Sequence, residues 1–471
     1  MQLNTQIYEL KGKYRRILNN ERKFLRAPNA NVSVVARLNG DMHEKALRIA
    51  LDKVQKVHPL LSAKAVIDEN NIAWFYVDDT VPKIPLKVVP RKSDKDFFKI
   101  IQEEHRIPWN IYNGPLIRFI LVYSPTVSDL IVFCLHTICD GTALANLLRD
   151  VLTFLTNPET PLSPVLPPKL DFSFSESKVK KALMKRIYNI INKKWQKDPI
   201  IIEDEQVFSK LQSAFWNKNS YDVILLELSK KQTKDLNERC RKLGITINSA
   251  LSIAYYVAYQ KIFGFFDKKQ RNIVIPYDLR TRLDANVENV FSLFVGSINL
   301  DFKYYFKAPF WNNVQRFHKM VLKKIQSFEM FSSATKLENL DPTLIETFMT
   351  FIVLNEIKPT TDPKLQQLEF LSKNEKNIAV KIANKFNSSL PGTVITNLGR
   401  LMIPESFGNL ILERMYFISG AGRSIPLVIS ALGVSGKLTL CLNVIEEKGK
   451  LTSKMTKMKE VNDYAVNLLE L

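Results

Sequence analysis

One short stretch holds residues suited to proton transfer: His136-Thr137-Ile138-Cys139-Asp140-Gly141. A neutral imidazole at the rim of a cleft can take a proton from an alcohol or an amine and hand it on. The preceding LIVFCL (130–135) reads as a strand, and TALANLLRDVLTFL (142–155) has helical spacing. His136 therefore stands where a strand ends and a helix is about to begin. Asp140, four residues on, has two roles open to it: a charged partner within the site, or the N-cap of the following helix. Gly141 lets the backbone turn tightly into that helix. Cys134 shares the strand face of His136, and Cys139 lies just beyond it. Either thiol would need an exposed, electropositive niche to act as a nucleophile. Otherwise both pack as small hydrophobes.

Other chemistries find no support. The histidines (His43, His58, His105, His136, His318) form no HxxxH or HExxH, and the four cysteines form no CxxC. Neither a metal site nor a disulfide framework is expected. No GxGxxG opens a helix, GVSGKLT (433–439) lacks Walker A spacing, and there is no GxSxG elbow. Nucleotide hydrolysis, Rossmann redox chemistry and serine hydrolysis are set aside accordingly.

The 471 residues include 67 Lys+Arg and 47 Asp+Glu, a net charge of +20. That surplus suits nucleic acid, an anionic membrane surface, an acidic protein or a polyphosphate cosubstrate. No helix-turn-helix, zinc-finger, RRM or KH signature is present, so nucleic acid is not expected. With 46% hydrophobic and 24% charged residues, the chain is globular rather than disordered. The segment MQLNTQIYELKGKYRRILNNERKF lacks the apolar stretch of a signal peptide, and no run of about 18 apolar residues exists. A reduced, cytoplasmic setting is the expectation.

The elements that must position His136 alternate along the chain. VSVVARL (32–38) reads as a strand, followed by a helix opened by Asp41, with Glu44 as its capping-box partner and Leu47, Ala50, Leu51 and Val54 on its apolar face. Further strands are expected at 72–77 and in a hairpin, 116–123 with 130–135, with a helix near 94–105. A proline-rich crossover (156–170) leads to a basic amphipathic helix, ESKVKKALMKRIYNIINKKWQK (176–197), striped by Val179, Leu183, Met184, Ile187, Tyr188, Ile191 and Trp195. That helix either lies on a membrane surface or packs across the crossover with its basic face in solvent. The second half carries strands at 223–228, 272–277, 294–302, 392–397, 410–417, 425–432 and 437–445. Its helices end near Gly244 and run from Asn248 to Phe263. The stretch 331–385 mixes helical and loop signals. Interleaved strands and helices with hairpins imply mixed sheets in two α/β halves, 1–200 and 201–471.

HTICDG resembles the HxxxDG motif of the chloramphenicol-acetyltransferase-like superfamily, which includes alcohol O-acetyltransferases, BAHD acyltransferases, polyketide-associated acyltransferases and condensation domains. Four more segments fit in order: LNGDMHEKALRIALDKVQKVHPLLSA (38–63), NGPLIRFILV (113–122), IPYDLRTRL (275–283) and VITNLGR (394–400). The resemblance spans about 38 to 445. Leu135 replaces the histidine that many members carry before the catalytic one, and the BAHD DFGWG motif is absent; the alcohol O-acetyltransferase branch fits best.

The resemblance implies two chloramphenicol-acetyltransferase-like subdomains with mixed sheets and an active-site channel at their interface. It implies an acyltransferase in which His136 is the general base, with no acyl-enzyme. Asp140 would be structural, pairing with an arginine of the other half: Arg280, with Arg282 the alternative. Gly141 would complete the turn. Thr396 or Asn397 would meet the oxyanion or substrate; Asn397-Leu398-Gly399 also reads as an ordinary strand-end turn. No cofactor stays bound; acyl-CoA, acetyl-CoA first, would be the cosubstrate, and a small alcohol or amine, lipophilic by the look of the chain's surface, the acceptor. A carrier-protein donor and a non-catalytic basic membrane binder are the competing readings. A monomer is expected.

Overall fold

The computed structural model describes residues 12–165, 178–268, 270–283, 286–327 and 329–471. The first half runs β1 (Gly12–Arg16), α1 (Asn19–Leu25), β2 (Asn31–Asn39), α2 (Glu44–Val57), β3 (Ala63–Ile67), β4 (Ala73–Val77), β5 (Leu86–Pro90), α3 (Asp96–Glu104), β6 (Ile117–Tyr123), β7 (Val127–Leu135) and α4 (Gly141–Thr156). Helix α5 (Lys178–Lys197) and α6 (Glu205–Lys218) lead into β8 (Asn219–Glu227), α7 (Lys230–Lys242), α8 (Ile247–Phe263), β9 (Asn272–Asp278) and β10 (Val295–Asp301). Then come α9 (Phe310–Gln326), α10 (Glu329–Thr335), α11 (Pro342–Ile357), α12 (Pro363–Leu371) and α13 (Ile378–Asn387). The chain closes with β11 (Thr393–Arg400), β12 (Ser406–Phe407), β13 (Leu410–Ile418), β14 (Leu427–Val434), β15 (Lys437–Glu447) and α14 (Leu451–Leu469).

Two six-stranded sheets form the halves, with strand orders β12-β13-β2-β7-β6-β5 and β10-β9-β11-β14-β15-β8; β1, β4 and β3 form a third, small sheet. Both large sheets are mixed: β5 runs parallel to β6, and β11 runs parallel to both β9 and β14. The expected two-half α/β architecture is what the chain adopts. Two strands cross the division at 200/201: β12 and β13 join the first half's sheet, and β13 pairs along its length with β2.

The strand carrying the HTICDG turn is buried on both faces. Along β7, Leu130, Val132 and Cys134 join the core with α2 and α4, whereas Ile131 and Phe133 join the core with α6 and α11. Alternate side chains point to opposite faces of a strand, so β7 is clamped between two helical layers. Each fully buried aliphatic side chain contributes about 1.5–3 kcal/mol. The end of β7 is therefore a rigid platform.

Helix α2 begins at Glu44 rather than Asp41, and His43 is its N-cap residue. The Asp41 carboxylate instead accepts from the Tyr123 hydroxyl at 2.9 Å, which ties the start of this helix to the hairpin. Part of the stripe of α5 packs on the protein. Tyr188 and Trp195 are buried in a core cluster, Met184 and Ile191 pack against it, and Trp195 Nε1 donates to Thr343 Oγ1 at 2.9 Å. Ile187 stays exposed. Residues 166–170 of the crossover, the helix start at 176–177, and the side chains of Val179 and Leu183 lie outside the described residues. No helix among the described residues is long and apolar enough to cross a membrane.

Candidate functional site

His136 follows the last residue of β7, and its N–H donates to the Ala30 carbonyl at 3.0 Å. Its Nδ1 lies 2.7 Å from the Cys139 carbonyl. A carbonyl only accepts, so Nδ1 carries the hydrogen and Nε2 keeps its lone pair. This tautomer is the one a general base requires. The ring stacks on Phe24 with centroids 4.4 Å apart. Burial holds the pKa of His136 below its ordinary 6.5; the Cys139 carbonyl and Asp140 pull it up, and Lys23 pushes it further down. The imidazole is thus neutral near pH 7, able to accept a proton.

Asp140 fills both of the roles open to it, one with each oxygen. Oδ1 accepts from Ala143 N at 2.8 Å and caps α4. Oδ2 accepts from Arg280 Nη1 and from Phe294 N, both at 2.8 Å. The carboxylate therefore turns away from the imidazole and joins the two halves. Arg280 is 4% exposed and also meets Asp278 Oδ1 at 3.1 Å and the Ser292 carbonyl at 2.9 Å. Burial alone would lower its pKa; Asp140 and Asp278 more than reverse this and raise it. Arg282 is exposed at the end of the same short turn.

Gly141 has a physical reason other than turning. A Cβ there would come within 2.7 Å of Phe417 and 2.8 Å of Leu398. Its φ is not among the left-handed ones. The missing side chain lets β13 and β11 close onto the start of α4, which is what brings Leu398 of the second half beside the HTICDG turn.

Thr396 and Asn397 lie on β11, opposite Ser430 and Ala431 of β14. Ile395 belongs to the core of the second half, whereas Leu398 packs against the core of the first. Pairing with β14 is regular from Thr393 to Asn397 and shifts beyond it, so alternation places Thr396 on the face of Val394, which packs against the core that also holds β2 and β7 residues, and Asn397 on the opposite one with Ile395. Asn397 Oδ1 accepts from Gly399 N at 2.8 Å, and Gly399 has φ +72°. Asn397 thus makes the strand-end turn, and Thr396 occupies the face turned toward the first half.

Two residues at the site escaped the sequence reading, Lys23 and Phe24 on α1. The Lys23 ammonium sits 4.5 Å over the Phe24 ring and donates to Asn20 Oδ1 at 2.6 Å. Burial pushes its pKa down to about 8, against the pull of Glu338. Among the described residues no carboxylate lies within 4 Å of Nζ. The helix is pinned by Arg15 to Glu21 at 2.7 Å, Arg22 to Glu346 at 2.9 Å, and Asn19 Nδ2 to the Leu337 and Leu340 carbonyls. Arg15 also reaches Ser292 Oγ at 3.0 Å, on the loop that holds Arg280. The available signal was slight: Glu21, whose carboxylate accepts from Leu18 N at 2.8 Å, opens a helix of only seven residues.

The remaining candidates are structural. Cys134 and Cys139 are fully buried, and burial raises the Cys139 thiol well above its ordinary value, so both behave as small hydrophobes. His58 closes α2 and its Nε2 lies 3.1 Å from Asp150 Oδ2. No group of three or more potential metal ligands is found among the described residues.

Residues 15–377 match the condensation-domain family. No curated protein matches the chain. Among solved structures, the chain is similar to polyketide synthase associated protein 5 from Mycobacterium tuberculosis, with a TM-score of 0.60 at 14% identity, covering 97% of this chain and 98% of that one. It is similar to the first condensation domain of the calcium-dependent antibiotic synthetase, with a TM-score of 0.59 at 12% identity, covering 97% of each chain. The trichothecene 15-O-acetyltransferase of Fusarium sporotrichioides gives 0.57 at 12% identity, covering 96% of this chain and 94% of that one. At such identities these likenesses establish a shared fold.

Proposed function

From membership of the condensation-domain family, to which this chain belongs, we propose that the protein transfers an acyl group from a thioester to an alcohol or amine, with His136 as general base. The observation that carries this reading is the fixed tautomer: Nδ1–H is committed to the Cys139 carbonyl at 2.7 Å, which leaves Nε2 as the free base. Nε2 takes the proton of the acceptor O–H or N–H as that atom attacks the thioester carbonyl. The tetrahedral intermediate then expels the thiolate, which receives the proton from Nε2–H. No acyl-enzyme forms. The Asp140–Arg280 pair holds the turn and does not touch substrate.

Acyl-CoA, acetyl-CoA first, is the donor in the alcohol O-acetyltransferase branch, which VITNLGR resembles and which Leu135 and the absence of a DFGWG motif favour over the others. A carrier-protein thioester is the second reading, favoured by the family match itself; the net charge of +20 suits an acidic carrier as well as CoA phosphates. The test is to mix the protein with acetyl-CoA and a panel of alcohols and amines and follow free thiol. Acceptor-dependent release establishes the CoA donor. Release from an acylated carrier protein alone establishes the other. No release from either removes the proposal.

Thr396 is the donor we assign to the developing oxyanion, because it stands on the face of β11 turned toward the first half. Thr396→Val is expected to lower turnover by about 100-fold, the size seen on losing one oxyanion donor. Asn397→Ala should cost less than about tenfold, since that side chain serves the turn. The reverse order in kcat would exchange their roles.

Lys23 adds to the burial that keeps the His136 pKa low. Its positive charge disfavours the imidazolium, so Lys23→Met should raise the His136 pKa and move the acid limb of kcat/KM to higher pH. A limb that stays put would exclude Lys23 from the electrostatics of the site.

A further inference from the structure

The exposed aromatic residues are not spread evenly. Phe265 is 75% exposed, Phe306 56% and Tyr305 51%. They belong to two adjacent loops, 264–271 before β9 and 302–309 after β10. The strand ends from which these loops leave are paired, Asn272 with Asp301. Phe265 and Phe306 meet edge to face at 5.3 Å, and Tyr304 meets Phe306 at 4.9 Å. Their immediate neighbours point the other way. Phe266 and Phe302 are buried in the core of the second half, with Phe266 stacked on Tyr259 at 5.0 Å. The base of the tip is therefore anchored, while the outer rings face solvent. Burying them elsewhere in the protein would have been favourable, so a cluster of this kind marks a contact surface.

The charges around the tip are mostly positive. Lys261, Lys268, Lys303 and Lys307 are all exposed. Among the described residues none of the four has a carboxylate within 4 Å. Of the carboxylates in these loops, Asp301 pairs with Arg271 at 3.1 Å, and Asp267 accepts from Gln270 N at 2.9 Å. Arg316 lies over the Tyr305 ring at 3.9 Å. Phenyl and phenol rings rimmed by lysines match the interface of an anionic bilayer, where rings settle at headgroup depth and ammonium groups meet phosphate and carboxylate.

We propose that this tip, Phe265, Tyr305 and Phe306 with Lys268, Lys303 and Lys307, docks the protein on an anionic lipid surface. The strands separate the tip from the chemistry. β9 leaves the tip at Asn272 and ends six residues later at Asp278, two residues before Arg280, about 20 Å away at strand rise. Docking is thus independent of the acyl-transfer reading. It is also a different surface from α5, where Tyr188 and Trp195 are buried.

Sedimentation of the full chain with vesicles tests it. One set is pure phosphatidylcholine; the other contains about a third phosphatidylserine. The partition coefficient should be at least tenfold higher on the anionic vesicles and should fall with added salt. The double variant Phe265→Ser/Phe306→Ser and the triple variant Lys268→Glu/Lys303→Glu/Lys307→Glu should each lose at least tenfold, with melting temperatures unchanged because these side chains are outside the core. Equal partition on both vesicle types, or binding unaltered in both variants, overturns the proposal. So does a native chain that elutes as a dimer and becomes a monomer in the variants, since the tip would then join two copies of this chain.

Discussion

Replacing His136 by alanine is expected to lower acceptor-dependent thioester cleavage by about 10²–10⁴-fold, the range that a positioned general base supplies. The melting temperature should move by only a few degrees. The side chain makes one hydrogen bond, to the Cys139 carbonyl, and one ring contact, to Phe24, and an aromatic contact of this type is worth about 0.5–1.5 kcal/mol. The native pH profile supports the same assignment. The base must be neutral, burial holds its pKa below the ordinary 6.5, and activity should therefore persist below that pH before the acid limb sets in. A His136→Ala protein that keeps its rate within tenfold of the native one sinks the mechanism, whatever the donor proves to be.

Much of this site was legible in order along the chain because strand ends and helix starts carry local signals. β7 was read to its last residue, and the helix after His136 to within a residue at each end. The second half's strands at 272–277, 410–417 and 437–445 matched to within two residues. Where local signal fails, the reading fails for physical reasons. Helix α11 buries Leu344, Ile345, Phe348, Phe351, Val353 and Leu354. It is buried on nearly every side, Thr347, Thr350 and Glu356 included, and gives no 3.6-residue contrast. Helix α1 has seven residues and is stabilised by ion pairs to Glu346, more than 300 positions away, so nothing near it announces Lys23 and Phe24 as neighbours of His136. The pairing of β13 with β2 is equally non-local. Gly141 was read for its backbone freedom, yet its neighbours Phe417 and Leu398 come from distant strands. The sequence motif named the turn; long-range packing decides why each of its residues is there.

Asp140→Ala is the second large effect, and it should appear first in stability. The substitution removes the cap of α4, worth about 1 kcal/mol. It also leaves the buried Arg280 guanidinium with Asp278 as its remaining carboxylate, 3.1 Å away and one-third exposed. Breaking a buried pair in this way costs roughly 3–5 kcal/mol. Asp140→Asn separates the two contributions. An amide oxygen still accepts from Ala143 N, so the cap survives while the charge is lost. Its amide nitrogen then faces the Arg280 and Phe294 donors that Oδ2 served, so Asn keeps the cap but not the bonds between the halves, and should lose most of what Ala loses. In Asp140→Ala/Arg280→Met the orphaned cation is gone too, and the double variant should be more stable than the sum of the single losses allows. Activity follows a different logic. Asp140 raises the His136 pKa, so Asp140→Asn should shift the acid limb to lower pH, the opposite of Lys23→Met. Thermal melts and pH profiles of these variants together decide the matter. Strict additivity of the stability losses would mean that the pair does not hold the halves together, and an acid limb unmoved in Asp140→Asn would mean that its charge is not felt at the base.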